Sequence, residues 1–175
     1  MHSLSCIKHV KDIFQGPRIG LPEDPGVYAF WWVGEKAELL SGNRHIVLKG
    51  PREQPVDVQY QDWWPDELSY PCLYVGKTTN LKNRFALHIK RGSTGRLHQA
   101  LSGNVKPKPC TTSCQLRFGI EHVFPQHGDP LALIFANVGF SFRNDFADNA
   151  VAERFFEEDR LVGNWRPWFN IDSER

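Results

Sequence analysis

The apolar positions of this chain change period several times, and the changes divide it into elements. Leu4, Ile7, Val10 (or Ile13) and Phe14 recur at near-helical spacing, which predicts a short amphipathic helix over residues 1–15, stopped by Gly16-Pro17. Val27-Tyr28-Ala29-Phe30-Trp31-Trp32-Val33 is a β-rich run bounded by turn residues, and it predicts a first strand. In 34–71, Ile46–Leu48 and Val56–Tyr60 pair as a hairpin across residues 50–55, and the region reads as an insertion between two strands. Cys72 to Val75 is the second strand, ending in a turn at Gly76. The helix that follows is capped by Asn80 and runs from Leu81 to Arg91. Its stripe is Leu81, Phe85 and Ile89, while Arg84 and His88 share a neighbouring face.

Glycines and prolines make 92–112 a loop-rich second insertion, with one helical turn around Leu97–Leu101. Leu116, Phe118, Ile120 and Val123 predict a third strand. Asp129-Pro130 opens a helix over Leu131–Val138, although the apolar run to Phe142 also suits a strand. The last helix spans 146–162, capped by Asp145 and stopped by Gly163. Its stripe of Val151, Phe155, position 158 and Val162 puts Glu158 on the buried face. Glu153 and Glu157 form a solvated ion-pair face. The fold class is α/β (α+β): one domain over 1–175, with a small three-stranded antiparallel or mixed sheet flanked by helices.

Net charge is +1, but it is segregated. Residues 68–120 hold nine Lys/Arg and no acid, whereas 1–67 hold seven against ten acids and 121–175 hold five against ten. A basic stretch of that length suits a polyanion, since neutralised phosphates release counterions; a merely solvated basic face is the plain alternative. DNA-contacting candidates are Lys82, Lys90, Arg91, Arg96, Lys106 and Lys108. No run of about 18 apolar residues could span a membrane, no signal-peptide pattern opens the chain, and four dispersed cysteines suit a reducing compartment, so a cytoplasmic location is expected. Cys110 and Cys114 give only a weak zinc signal.

Tyr74, Lys77, Arg84 and His88 bring a phenol, an ammonium, a guanidinium and an imidazole to one strand–helix junction. Phosphodiester hydrolysis needs an in-line water, an acceptor for its proton and positive charge around the phosphate. A phenol is a poor base unless cations favour its anion, and Lys77 and Arg84 are placed to do so. Read singly, each is also an ordinary core tyrosine or surface cation. Glu158, a carboxylate on an apolar stripe, needs a cation or metal partner, and a buried arginine pair would serve equally.

Gly26-Val27-Tyr28 and Tyr74-Val75-Gly76 resemble the two halves of the GIY-YIG nuclease signature. Lys77, Arg84 and His88 follow at the family's offsets, and Glu158-x-x-Leu161-Val162 and Pro167-Trp168-Phe169-Asn170 resemble its closing helix and tail. The stretches 26–32, 72–91 and 150–170 carry the likeness, 48 of 175 residues. The chain departs from the family in the separation of 46 positions from Tyr28 to Tyr74 and in the enlarged span from Arg84 to Glu158. The resemblance implies a Mg²⁺-dependent (or Mn²⁺-dependent) DNA endonuclease with one ion per site on Glu158, leaving 5′-phosphate and 3′-hydroxyl ends. Tyr74 would activate the water, with Tyr28 supporting it or sharing that role. Arg84 would bind non-bridging oxygens, and His88 would hold the attacking or leaving oxygen or simply pack beside Phe85. Asn170 would tie the tail to the site. The chain looks most like the family's compact restriction endonucleases; a repair, phage-defence or toxin nuclease and a silent nucleic-acid-binding module are the rivals, and a homodimer would cut both strands.

Overall fold

The computed structural model describes residues 4–15, 18–90 and 115–171. The first segment is not the expected α-helix. It holds a two-residue strand β1 (Lys8–His9), a 3₁₀ turn (Val10–Ile13) and strand β2 (Phe14–Gln15), which pairs with β3 (Arg18–Ile19). Val10 and Ile13 are buried as the spacing demanded, but a spacing of three suits a 3₁₀ turn, and three β-branched residues weaken an α-helix. The expected stop at Gly16-Pro17 lies outside the described residues.

Strand β4 (Gly26–Trp32) is buried at every position, because both of its faces are covered. Helix α1 (Lys36–Ser41) precedes the hairpin of β5 (His45–Lys49) and β6 (Pro55–Gln59), whose register sets Ile46 opposite Val58 as the pattern predicted. Strand β7 (Cys72–Thr78) continues three residues past the expected end. Gly76 is therefore not a turn; it sits mid-strand, directly across from Tyr28. Helix α2 (Leu81–Lys90) starts where Asn80 Oδ1 accepts from the Asn83 N–H at 2.9 Å, so the predicted cap is real.

The expected third strand at 115–124 is helix α3 (Gln115–Val123). Leu116, Ile120 and Val123, four and three apart, form its buried line, while Phe118, the residue that suggested alternation, is 41 % exposed. Residues 129–143 satisfy both readings in succession: helix α4 (Pro130–Asn137), capped by Asp129 Oδ1 accepting from Leu131 and Ala132, then strand β8 (Val138–Arg143). Helix α5 (Val151–Trp165) begins later than expected, because Asp145 pairs with Arg143 instead of capping it. It also passes through Gly163.

The main sheet is antiparallel, ordered β1-β8-β4-β7, so its third long strand comes from 138–143. Alternation on the strands gives it two faces. Tyr28, Phe30 and Phe140 pack under Phe85 and His88 of α2, whereas Trp31 and Lys77 meet α5 on the other face. The insertion at 34–71 does not loop away. Tyr60 and Trp64 pack on the fully buried Trp168 at 5.1 and 5.2 Å and hold the C-terminal 3₁₀ turn (Trp168–Asn170) in place.

Candidate active site

Gly76 explains why two tyrosines can meet. A Cβ there would lie 2.5 Å from Tyr28 Oη and 2.8 Å from a Tyr74 ring carbon, so only a bare α-carbon leaves room for both rings. Tyr28 is fully enclosed, and its hydroxyl lies 2.7 Å from His88 Nε2 and accepts from Arg84 Nε at 3.1 Å. The Leu116 N–H, in the first turn of α3, donates to His88 Nδ1 over 3.5 Å. That approach favours the tautomer with its proton on Nε2, donated to Tyr28. Both lone pairs of Tyr28 are so occupied, and Tyr74, whose ring centre lies 6.1 Å from that of Tyr28, also feels Arg84. The row His88, Tyr28, Tyr74 therefore runs from the interior to the surface.

Burial pushes both phenols above their ordinary range, Tyr28 most strongly, and Arg84 only partly opposes the shift. Burial, then Arg84, pushes His88 well below the ordinary imidazole value. His88 is entirely enclosed and does not line the cleft. Arg84 is likewise committed to the tyrosine hydroxyls more than to a phosphate fork.

On the other face of β7 the site is built by covering the sheet edge. The Lys77 N–H donates to Glu158 Oε1 at 3.1 Å, the Val75 N–H donates to Asn170 Oδ1 at 2.8 Å, and Asn170 Nδ2 donates to Val75 O at 2.8 Å. Two side chains thus occupy an edge that would otherwise stay open to another strand. Asn170 ties the tail to the residue after Tyr74. Lys77 pairs through Nζ with Glu158 Oε2 and lies 4.5 Å from the centre of the Phe155 ring. Glu158 therefore meets a lysine where the plain alternative named an arginine.

The route to Glu158 through an apolar stripe needs correction. Val151 and Phe155 are 62 % and 47 % exposed, and the inner line of α5 is Arg154, Glu158 and Leu161. Glu157 is no solvated residue either: it bridges Arg143 and Arg160, which hold its carboxyl below the usual range. Glu153 is exposed as read.

A cleft of about 330 Å³ opens between α5, β7 and the tail, lined by Tyr74, Lys77, Glu158, Phe155, Asp159 and Asn170 among others. Phe155 reads in the sequence only as part of the buried stripe, and Asp159 has no signal beyond standing next to Glu158. Among the described residues no three His, Cys, Asp or Glu side chains cluster as a metal cage. The donor set fits a hard cation held by one carboxylate, water and substrate, with Lys77 as its competitor for Glu158. Of the DNA-contacting candidates, Lys82 pairs with Glu23 at 2.8 Å on the surface, and Lys90 ends α2. Arg91, Arg96, Lys106 and Lys108 lie outside the described residues, as do Cys110 and Cys114; Cys72 is buried in β7. No helix among the described residues is long and apolar enough to cross a membrane.

Comparison with known proteins found no matching family model, curated protein or solved structure.

Proposed function

We propose that the protein is a DNA endonuclease of the GIY-YIG type, hydrolysing phosphodiesters with Mg²⁺ to 5′-phosphate and 3′-hydroxyl ends, and most like a restriction enzyme. One observation carries the reading: Tyr74, Lys77, Glu158 and Asn170, from elements far apart in sequence, converge on one open cleft, with Tyr28, Arg84 and His88 directly behind Tyr74. In this reading Tyr74 receives the proton of the attacking water. Arg84 stabilises the phenolate that forms, and Tyr28, oriented by His88, donates a hydrogen bond to it. Lys77 moves from Glu158 to a phosphate oxygen when substrate enters. Glu158 would hold Mg²⁺, which when bound neutralises phosphate charge and offsets the burial that keeps the phenols protonated. Asn170 fixes the strand edge that carries Tyr74 and Lys77.

The competing reading is a silent DNA-binding module. It is favoured by the Lys77–Glu158 pair, which already occupies the carboxylate, and by the raised phenols. Incubation of supercoiled plasmid with Mg²⁺ or with chelator separates the two. The nuclease reading expects Mg²⁺-dependent cutting that Glu158→Ala abolishes while binding persists. Glu153→Ala is the matched control, since Glu157→Ala would strip a carboxylate from Arg143 and Arg160. Binding without cutting leaves the module, and a fully active Glu158→Ala protein removes the metal assignment. Discrete fragments point to restriction, and smears to a nuclease of loose specificity.

A further inference from the structure

The end of α5 inverts the usual placement of glycine. Gly163 lies inside the helix, where glycine is disfavoured, yet a Cβ built there meets nothing within 4 Å, so the described residues supply no packing reason for it. Arg166, by contrast, ends the helix in the left-handed region (φ 49°, ψ 57°), the position where glycine normally relieves strain. Gln61 helps to hold it there: its Nε2 donates to the Arg166 carbonyl at 2.6 Å, and the Gln61 carbonyl accepts from Trp168 Nε1 at 2.9 Å. The strained arginine is thus anchored to a fully buried tryptophan.

The Arg166 guanidinium lies 5.3 Å from the ring centre of Trp63, which is 50 % exposed although its neighbour Trp64 is buried. It makes no ion pair among the described residues, and the nearby Asp62 faces Arg44. Stacking against an aromatic face fixes the guanidinium plane and leaves its edge donors pointing outward, a geometry suited to a phosphate. Arg166 borders a second cleft of about 370 Å³, lined also by Gln61, Gly163 and Ile171 and sharing Val162 and Asn170 with the first; Trp63 is not in its lining and adjoins it through Arg166. Among the described residues, Arg166 alone brings a charge to its lining.

We propose that this second cleft is a backbone subsite for the DNA strand whose scissile phosphate enters the first. It binds a flanking phosphate on Arg166, the sugar lies against Trp63, and Gly163 lets the strand approach the helix closely. The proposal rests on the nucleic-acid reading of the first cleft, but it does not require cutting. A glycine with no partner and a strained arginine on one groove are placed for a ligand that comes from outside.

The test measures binding of a fluorescein-labelled DNA duplex by anisotropy, with chelator present, over a salt series, together with the Tm of each variant. Arg166→Gly and Gly163→Leu are expected to melt at or above the wild-type temperature, because each replaces a disfavoured residue with a favoured one. Arg166→Gly should weaken binding several-fold and lower the slope of log K against log salt by about 0.9, the value for one neutralised phosphate. Gly163→Leu should weaken binding by filling the groove, and Trp63→Ala by releasing Arg166. Wild-type affinity and slope in both Arg166→Gly and Gly163→Leu would overturn the subsite, whether or not the protein cuts. Binding here by a wild type that leaves plasmid uncut with Mg²⁺ removes the nuclease reading and leaves this test intact. No binding by the wild type overturns the subsite, and the plasmid assay with Mg²⁺ decides the nuclease reading separately.

Discussion

Tyr28, Gly76 and His88 show how far single residues constrain the site. Tyr28 fills the space that Gly76 leaves empty, and His88 is buried to orient it, so each residue needs the other two. The burial of His88 has a measurable consequence. Its charged form is disfavoured by enclosure and by Arg84, and the groups around it, Tyr28, Tyr74 and the Leu116 N–H, supply no negative charge to offset this. The folded protein therefore resists protonation of His88, while the unfolded chain takes up a proton near its ordinary value of 6.5. Stability is fully present above that value and is lost as pH falls through it. Melting at pH 7 and pH 5 should show a smaller drop for His88→Gln than for the wild type; equal drops would show that the imidazole titrates freely.

Among the elements, α5 and the tail carry the greatest burden, since they deliver Glu158 and Asn170 to the edge of β7. Their position depends on aromatic packing contributed by the 34–71 insertion: Trp168 is enclosed between Tyr60 and Trp64, and the Phe169 ring lies so close to α3 that a Cβ at Gly119 would meet it at 2.6 Å. Trp168→Ala should cost about 3–5 kcal/mol by opening a cavity in that stack. It should also lower Mg²⁺-dependent cleavage below what the loss of folded protein explains, as urea denaturation and activity per folded molecule would reveal. The elements that depart from expectation share one physical cause. Leu116, Ile120 and Val123 support a helix as well as a strand until Phe118 is known to face solvent, and Asp145 can cap a helix only if Arg143 does not claim it.

For the molecule as a whole, charge is the property that reaches beyond the fold. Several of the described cations in the basic segment have partners inside the protein: Lys77 with Glu158, Lys82 with Glu23 and Arg117 with Glu121. If the protein binds DNA as proposed, the charges of Arg91, Arg96, Lys106 and Lys108 would add to its long-range attraction. Replacing all four with alanine should reduce the salt slope of duplex binding by up to about 3.6, at roughly 0.9 for each phosphate no longer neutralised. An unchanged slope would assign the basic segment to solvation. If the protein cuts both strands at a defined sequence, two such sites are needed, and sedimentation with cognate DNA would show a 2:1 complex.

The sequence by itself determined strands β4 and β7, the 45–59 hairpin and the Asn80 cap, because these depend on local periodicity and capping; Tyr74, Lys77, Glu158 and Asn170 of the cleft stand out with the help of the family resemblance, and Phe155 and Asp159 do not. Only the tertiary structure decided which strand completes the sheet, that Gly76 is a gap between two tyrosines and that Lys77 already holds Glu158. It also decided that Arg84 and His88 serve the phenols and do not face the cleft. Those outcomes depend on which faces are covered and which charges are near, and both are set by residues that meet across the fold although they lie as far apart in sequence as 77 and 158.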